Sequence, residues 1–238
     1  MCGITGILNL NTSNKADHFL IKKMTEKLNH RGPDETGYFS NDDISFGHKR
    51  LKIIDLESGN QPMTSRNNNY VLVFNGEIYN YKELRNKFIK KGFKFKTNSD
   101  TEIILSAYEN YGLSFVNTLR GMFAIAIWDN IKKKLILARD RAGQKPLYYI
   151  MSNNNFYFSS ELKSIVAIKE LNLKLEHTSI DNYFQYGYIN APNSIFKNVN
   201  QLQPGCLLEI EQFKKKYITS RYWTLTPNPN YSKNKNYF

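Results

Sequence analysis

The stretch MCGITGILNL, residues 1–10, decides the fold of this chain. Its apolar run over residues 4–10 predicts a buried strand that begins almost at the amino terminus. Residue 2 is therefore expected at a fixed point of the fold. No basic residue precedes the apolar run and polar sequence follows it at once, so the stretch lacks the pattern of a signal peptide.

Beyond this strand, blocks of helix alternate with pairs of strands. Residues 17–29 have apolar side chains at helical spacing, and Ser99 with Glu102 forms the start signal of a second helix. Asn80 with Glu83 starts another, for which Gly92 is the expected stop. Residues 30–37 predict a loop, and strands are predicted over residues 44–50, 70–74, 121–128, 134–138, 147–150 and 155–160. This order is typical of an α+β protein with mostly antiparallel sheets.

The charge, cysteine content and apolar runs of the chain indicate which partners and which location to expect. The chain has 238 residues and a formal charge of +12, which raises nucleic acid as a partner. Its lysines form short clusters, residues 132–134 and 214–216, with no long basic arm, so a solvated surface is favoured over a nucleic-acid footprint.

The two cysteines fit a reducing compartment and predict the cytoplasm. No apolar run approaches the roughly 18 residues that span a bilayer, so no membrane partner is expected.

Cys2 is a candidate nucleophile. A small residue after Met1 permits removal of Met1, and the thiol then lies next to a free α-amine. That amine has an ordinary pKa of about 7.7 to 8.0, so its neutral fraction can take the thiol proton. The alternative is a small apolar residue at the start of a strand.

Asn75 and Gly76 follow the strand predicted over residues 70–74. Asn-Gly between apolar runs is a common hairpin turn, although the following EIY is short for a partner strand. An Asn amide beside a Gly N–H also supplies two donors for an oxyanion. Glu77 adjoins them. Arg50 and Asp100 are two further candidates for the site. Each has a simple structural alternative: Arg50 can be a solvated surface charge, and Asp100 can be an acid that favours the start of a helix.

These residues lie in an ordered series of motifs. The motifs are MCGITGI, HRGPDETG, GHKRLKIID, FNGEIYNY, TNSDTE, RGMFAIAIWD, ARDRAGQKPLYY, FSSELKSI and YGYINAPNSIFKNVNQLQPG. In order and spacing the series resembles the glutaminase domain of B-type asparagine synthetases, which belongs to the class II glutamine amidotransferases. The resemblance covers roughly residues 2 to 210. It implies an N-terminal-nucleophile hydrolase fold, an αββα four-layer sandwich.

The resemblance also implies the role of each candidate residue. Cys2 would attack the side-chain amide of glutamine, and Asn75 with the Gly76 N–H would hold the oxyanion. Arg50 would bind the α-carboxylate as a forked ion pair, and Asp100 with the Glu77 region would bind the α-ammonium. Backbone near Ile53 and Ile54 would line the site. His30 and His48 are expected to order loops, and Cys206 to be an apolar strand residue.

The expected partners follow from the same resemblance. Residues 2–210 would form the amidotransferase domain, and residues 211–238 a linker or the start of an ATP-dependent synthetase domain. The chain has no S-G-G-x-D-S loop or Walker loop, so no cofactor is expected in it, and ATP with Mg would serve only that synthetase domain. We expect a truncated form of a longer architecture, with a synthetase domain or subunit as ammonia acceptor and a possible homodimer. Two alternatives stay open. The chain could supply ammonia to another amide-forming synthetase, or it could be a remnant that binds glutamine without hydrolysing it.

Overall fold

The computed structural model describes residues 1–11 and 17–226. Its strands are β1 (Gly3–Asn9), β2 (Glu35–Ser40), β3 (Ile44–Arg50), β4 (Met63–Thr64), β5 (Tyr70–Ile78), β6 (Gly121–Asp129), β7 (Lys134–Arg139), β8 (Tyr148–Ser152), β9 (Asn155–Ser159), β10 (Asn200–Gln201), β11 (Cys206–Glu211) and β12 (Lys216–Arg221). Its α-helices are α1 (His18–Glu26), α2 (Tyr81–Lys90), α3 (Asp100–Tyr111), α4 (Phe115–Thr118), α5 (Leu162–Val166) and α6 (His177–Tyr186).

The strands form two antiparallel sheets. One has the order β10-β8-β9-β1-β3-β2 and the other the order β12-β11-β7-β6-β5-β4. All seven residues of β1 are buried, because this strand lies between β9 and β3 in the middle of its sheet. The buried strand predicted at the amino terminus is thus confirmed.

Apolar side chains join the layers. Ile4 and Phe46 of the first sheet share a core with Val73 and Trp128 of the second, which shows that the sheets pack face to face. Outer clusters then cover each sheet with helices: one includes residues of β5, β6, α2 and α3, and the other residues of β1, β9, α1 and α5. The α+β class and the αββα sandwich are therefore confirmed.

Two strand boundaries differ from the sequence interpretation. β2 begins at Glu35, inside the predicted loop, because residues 35–40 pair along β3. β5 does not end at Phe74 but continues through Asn75 and Gly76 to Ile78, paired with β6. The Asn-Gly pair is therefore part of a strand, and the hairpin alternative is wrong.

Helix starts also differ in part. Ser99 accepts a hydrogen bond from Thr101 N and so begins α3 with Asp100 in the first turn, as predicted. Glu102, its predicted capping partner, instead accepts from Lys96 N and Thr97 N. Asn80 stands before α2, but its side chain bonds the backbone of Thr118 and Arg120 instead of capping the helix. The capping box predicted at Asn80 is thus wrong, because those tertiary partners occupy the side chain.

The carboxyl-terminal part extends the second sheet. β12 pairs with β11, so the sheet continues past residue 210 to Arg221. Cys206 is buried in β11, as expected for an apolar strand residue. Residues 211–238 were expected to be a linker or the start of a synthetase domain; β12 lies within this range, and residues 227–238 are outside the described residues. Within the described ranges, no helix is long and apolar enough to cross a membrane.

Candidate functional site

One cavity lies where β1 begins, β3 ends and α3 starts. All eight candidate residues line it: Cys2, Arg50, Ile53, Ile54, Asn75, Gly76, Glu77 and Asp100. They come from four separate segments of the chain, which the two sheets bring to a common edge. The cavity is also lined by residues that the sequence did not single out, among them Gln61 and Lys145.

Cys2 is held at the entrance to β1. Its Sγ lies 3.4 Å from the N atom of Leu51, which donates to it, and 3.6 Å from the carbonyl oxygen of Leu51. Burial raises the pKa of the thiol, although the Leu51 hydrogen bond and the nearby amino terminus oppose that rise. A neutral thiol needs a base to become a nucleophile.

A buried arginine fixes the backbone of this residue. Arg31 Nε donates to the carbonyl oxygen of Cys2 at 2.8 Å, and its Nη1 lies 2.8 Å from Glu161. Burial would raise the pKa of Glu161, but hydrogen bonds from Arg31, His30 and Lys163 lower it to about 2. His30 thus contributes a hydrogen bond that joins its loop to the start of α5, in agreement with its expected ordering role.

Arg50 is buried, and its terminal donors are occupied. Nη1 bonds Glu35 at 3.1 Å and Asn60 at 2.7 Å, while Nη2 bonds the carbonyl oxygens of Ile54 at 3.3 Å and Asp55 at 2.5 Å. The resemblance implied that this guanidinium binds the substrate carboxylate as a forked ion pair. In the structure the loop over residues 51–60 closes on the guanidinium, so a carboxylate would have to replace part of these contacts.

The edge of β5 opposite β6 is open toward the cavity. Phe123, which lies opposite Gly76, bonds Asp140 through its own N and O atoms. Gly76 and Phe123 therefore form a non-hydrogen-bonded pair, and the Gly76 N–H points away from β6. On that side β4 pairs only as far as Leu72, so among the described residues no strand covers Gly76.

Side chains bond the amides on either side of this glycine. Phe74 N donates to Gln61 Oε1 at 2.6 Å, and Ile78 N donates to Asp100 Oδ2 at 3.0 Å. The Gly76 N–H lies between them on the same edge of β5, where Gly76 lines the cavity. A Cβ at position 76 would collide with the carbonyl oxygen of Met122, which explains the glycine.

Asn75 and His48 lie behind this edge. The Asn75 side chain is 1% exposed, and within the described part of the chain its Nδ2 has no hydrogen-bond partner. A buried amide without a partner is unusual and suits a donor that awaits a ligand. His48 lies in β3, within the strand predicted over residues 44–50, and it joins strands instead of ordering a loop. Its Nε2 lies 3.2 Å from the Phe74 carbonyl oxygen, so it joins the two sheets beside Asn75.

Burial shifts the pKa of His48, behind the cavity, and the pKa of Asp100, in its wall. Burial lowers the pKa of His48 to about 3, so the imidazole is neutral. Burial and the neighbouring Glu77 raise the pKa of Asp100 to about 6, despite the Ile78 hydrogen bond. Asp100 and Glu77 together form an acidic end that can receive a cation. Across the described ranges, no group of three His, Cys, Asp or Glu side chains is placed to hold a metal ion.

Comparisons with known proteins agree with this geometry. Residues 1–223 match the family model of the glutamine amidotransferase domain. The chain is 40% identical over 207 residues to asparagine synthetase [glutamine-hydrolyzing] 1 of Bacillus subtilis, covering 86% of this chain and 33% of that protein. It is 38% identical over 257 residues to a putative asparagine synthetase [glutamine-hydrolyzing] 2 of Methanocaldococcus jannaschii, covering 99% of this chain and 49% of that protein.

Solved structures support the fold. Glutamine phosphoribosylpyrophosphate amidotransferase from B. subtilis superposes with a TM-score of 0.68 at 19% identity, over 94% of this chain and 50% of that one. The chain spans between a third and a half of the length of the two asparagine synthetases described above. With the family match over residues 1–223, these findings show that the chain belongs to the glutamine amidotransferase family.

Proposed function

We propose that this chain hydrolyses glutamine to glutamate and ammonia, with Cys2 as the nucleophile after Met1 is removed. One observation carries the proposal: the Gly76 N–H is the amide on the open edge of β5 that faces the cavity of Cys2, while its neighbours bond Gln61 and Asp100. A backbone donor opposite a thiol is what acyl transfer from an amide requires.

The proposed chemistry uses groups that lie around that cavity. The neutral α-amine of Cys2 takes the thiol proton, and Sγ bonds to the side-chain carbonyl carbon of glutamine. The Gly76 N–H and the Asn75 amide stabilise the oxyanion. The C–N bond then breaks as ammonia leaves with the proton from the amine, and water hydrolyses the glutamyl thioester.

Charge complementarity supports glutamine over other amides. Arg50 lies at one side of the cavity and would bind the α-carboxylate, in place of some of its contacts with Glu35 and the 51–60 loop. Asp100 and Glu77 would bind the α-ammonium, and the backbone at Ile53 and Ile54 would close the site. Recognition of both charged ends selects an amino acid.

We extend the proposal to the longer protein. The ammonia would pass to a synthetase domain or subunit like those of the asparagine synthetases that this chain resembles, which would use ATP and Mg to activate aspartate. Residues 2–210 would then be the amidotransferase domain, with residues 211–238, of which β12 still pairs in the second sheet, leading towards that partner. Cys2 and Cys206 are both free thiols, which fits a cytoplasmic location. Homodimerisation stays a prediction that sedimentation can measure.

The experiment that tests the proposal combines intact mass with glutamate release. We expect a mass without Met1, and glutamate release from glutamine that Cys2→Ala abolishes while the fold persists. Glutamine binding without release, in a chain that has lost Met1, would contradict hydrolysis and indicate a glutamine-binding remnant. Release that continues in Cys2→Ala would contradict the assignment of the nucleophile.

A further inference from the structure

Lys145 is a buried cation in the wall of the cavity that Cys2 lines. Its side chain is only 6% exposed. Burial of an ammonium is costly unless the group is paired. Within residues 1–11 and 17–226 it forms no ion pair, and the polar contact of its Nζ is the Met1 Sδ at 3.2 Å, a weak acceptor. Packing alone gives no reason to keep a lysine at this position.

The backbone fixes the position of this cation. Lys145 N donates to Asp140 Oδ2 at 3.0 Å, and Lys145 O accepts from Arg139 Nε at 2.8 Å. The same Asp140 oxygen accepts from Phe123 N of β6 at 3.1 Å, opposite Gly76. The loop that carries Lys145 is therefore anchored to the strand that neighbours the proposed oxyanion site.

The methionine that contacts Lys145 also contacts a second cation. Met1 Sδ lies between the two cations, 3.2 Å from Lys145 Nζ and 3.9 Å from Arg31 Nη2. Arg31 Nε also bonds the Cys2 carbonyl oxygen. Removal of Met1 takes this thioether from between the two cations, while Arg31 still bonds the Cys2 carbonyl oxygen and Lys145 still lines the cavity that Cys2 lines. Three other charged groups line the cavity with Cys2, namely Arg50, Glu77 and Asp100, while Asp140 contacts the backbone of Lys145 and Glu161 contacts Arg31.

We propose that Lys145 is a positioning residue of the amidotransferase reaction: once Met1 is removed, its ammonium faces the Cys2 α-amine and favours the neutral amine that accepts the thiol proton. The inference rests on the proposed glutamine hydrolysis. A fixed like charge disfavours protonation of a neighbouring amine. Arg31 cannot take this part alone, because Glu161 neutralises it. The proton moves from Sγ to the amine and later to the departing ammonia, so Lys145 itself exchanges none.

The test compares pH profiles of kcat/KM for glutamine in Lys145→Met, Lys145→Arg and the wild type. The acid limb reports the free enzyme: Asp100 contributes near its pKa of about 6, and the step above it belongs to the Cys2 amine, whose ordinary pKa is about 7.7 to 8.0. We expect Lys145→Met to move that limb to higher pH by about one unit, and Lys145→Arg to restore it. Lys132→Met, at an exposed site in the β6–β7 turn, removes the same charge and should leave the limb in place.

Two results would overturn the inference. The first is an equal loss of kcat/KM at every pH in Lys145→Met, with an unmoved limb, which indicates a structural role only. The second concerns the pKa of the α-amine itself, measured by competitive acetylation of the amino terminus in Met1-free chains. An equal pKa in Cys2→Ser and in Cys2→Ser with Lys145→Met would contradict the inference. This second readout needs no turnover, so it tests Lys145 even if the wild type releases no glutamate and the proposed function fails.

Discussion

Asp100 lies where burial and a neighbouring acid, Glu77, both disfavour its charged form. Its pKa is raised to about 6, so the carboxylate is protonated at a pH where an exposed aspartate stays ionised. A substrate ammonium needs the ionised form. Since the two charges of a free amino acid do not titrate near this pH, Asp100 is the group that makes binding depend on pH.

We therefore predict that glutamine binds a Cys2→Ala chain with an affinity that falls as pH drops through about 6. Below that value each unit should cost up to about tenfold, because binding must first remove the proton from Asp100. Adding Asp100→Asn, which keeps an acceptor for Ile78 N, should weaken binding by about tenfold or more at neutral pH and remove the pH dependence.

Calorimetry on Met1-free chains from about pH 5 to about pH 7.5 measures this effect. Thermal unfolding at each pH serves as the control for the fold. A constant affinity across this range in the Cys2→Ala chain would contradict the role of Asp100. An unchanged affinity after Asp100→Asn would do the same.

At the scale of elements, the close approach of β5 and β6 imposes the glycine at position 76. A Cβ there would meet the Met122 carbonyl oxygen and the Phe123 Cα, which are backbone atoms that cannot turn aside. Relief requires the two strands to separate at the point where the open edge of β5 faces Cys2. Strand spacing and the proposed oxyanion site are thus coupled.

Gly76→Ala should lower the free energy of unfolding by about 1–3 kcal/mol and reduce glutamate release more than this loss of stability explains. Gly187→Ala is the matched control. Gly187 has a φ of +76° but open space around it, so alanine there should cost about 1–2 kcal/mol through backbone strain and leave activity intact. Urea unfolding and turnover of both variants give the comparison. Full activity in Gly76→Ala would refute the coupling.

The sequence predicted those helices and strands well whose bounds depend on residues that are neighbours in the chain. The buried β1 and the Ser99 start of α3 follow from neighbouring residues, and so do the positions of Cys2 and Asp100. The pattern could not show contacts made across the sheets. Arg31 meets Glu161 from 130 positions away in sequence, and nothing near Gln61 indicates that it bonds the Phe74 amide. Such pairings depend on strand order, which periodicity does not encode.

At the scale of the whole molecule, the formal charge of +12 needs an explanation other than nucleic acid. The two lysine clusters singled out in the sequence are not free basic patches. Lys133 pairs with Asp43 at 2.8 Å, and Lys134 lies 2.8 Å from Glu209. Lys214 pairs with Glu211 at 2.7 Å. Neighbouring carboxylates, those of Asp43, Glu209 and Glu211, therefore break up the positive potential that a phosphate backbone would need.

This arrangement predicts that the protein does not bind DNA appreciably at physiological salt, because a footprint requires several cations that are free to contact phosphates. Anisotropy of a labelled duplex, titrated with protein between about 50 and about 200 mM salt, measures it. We expect at most weak binding at the low end, lost as salt rises. A matched chain with Glu209→Gln and Glu211→Gln should bind more tightly at low salt, since those substitutions release Lys134 and Lys214. Saturable binding of the wild type at about 150 mM salt would contradict the prediction and support nucleic acid as a partner. The binding constant would then have to fall with salt as steeply as several phosphate contacts require.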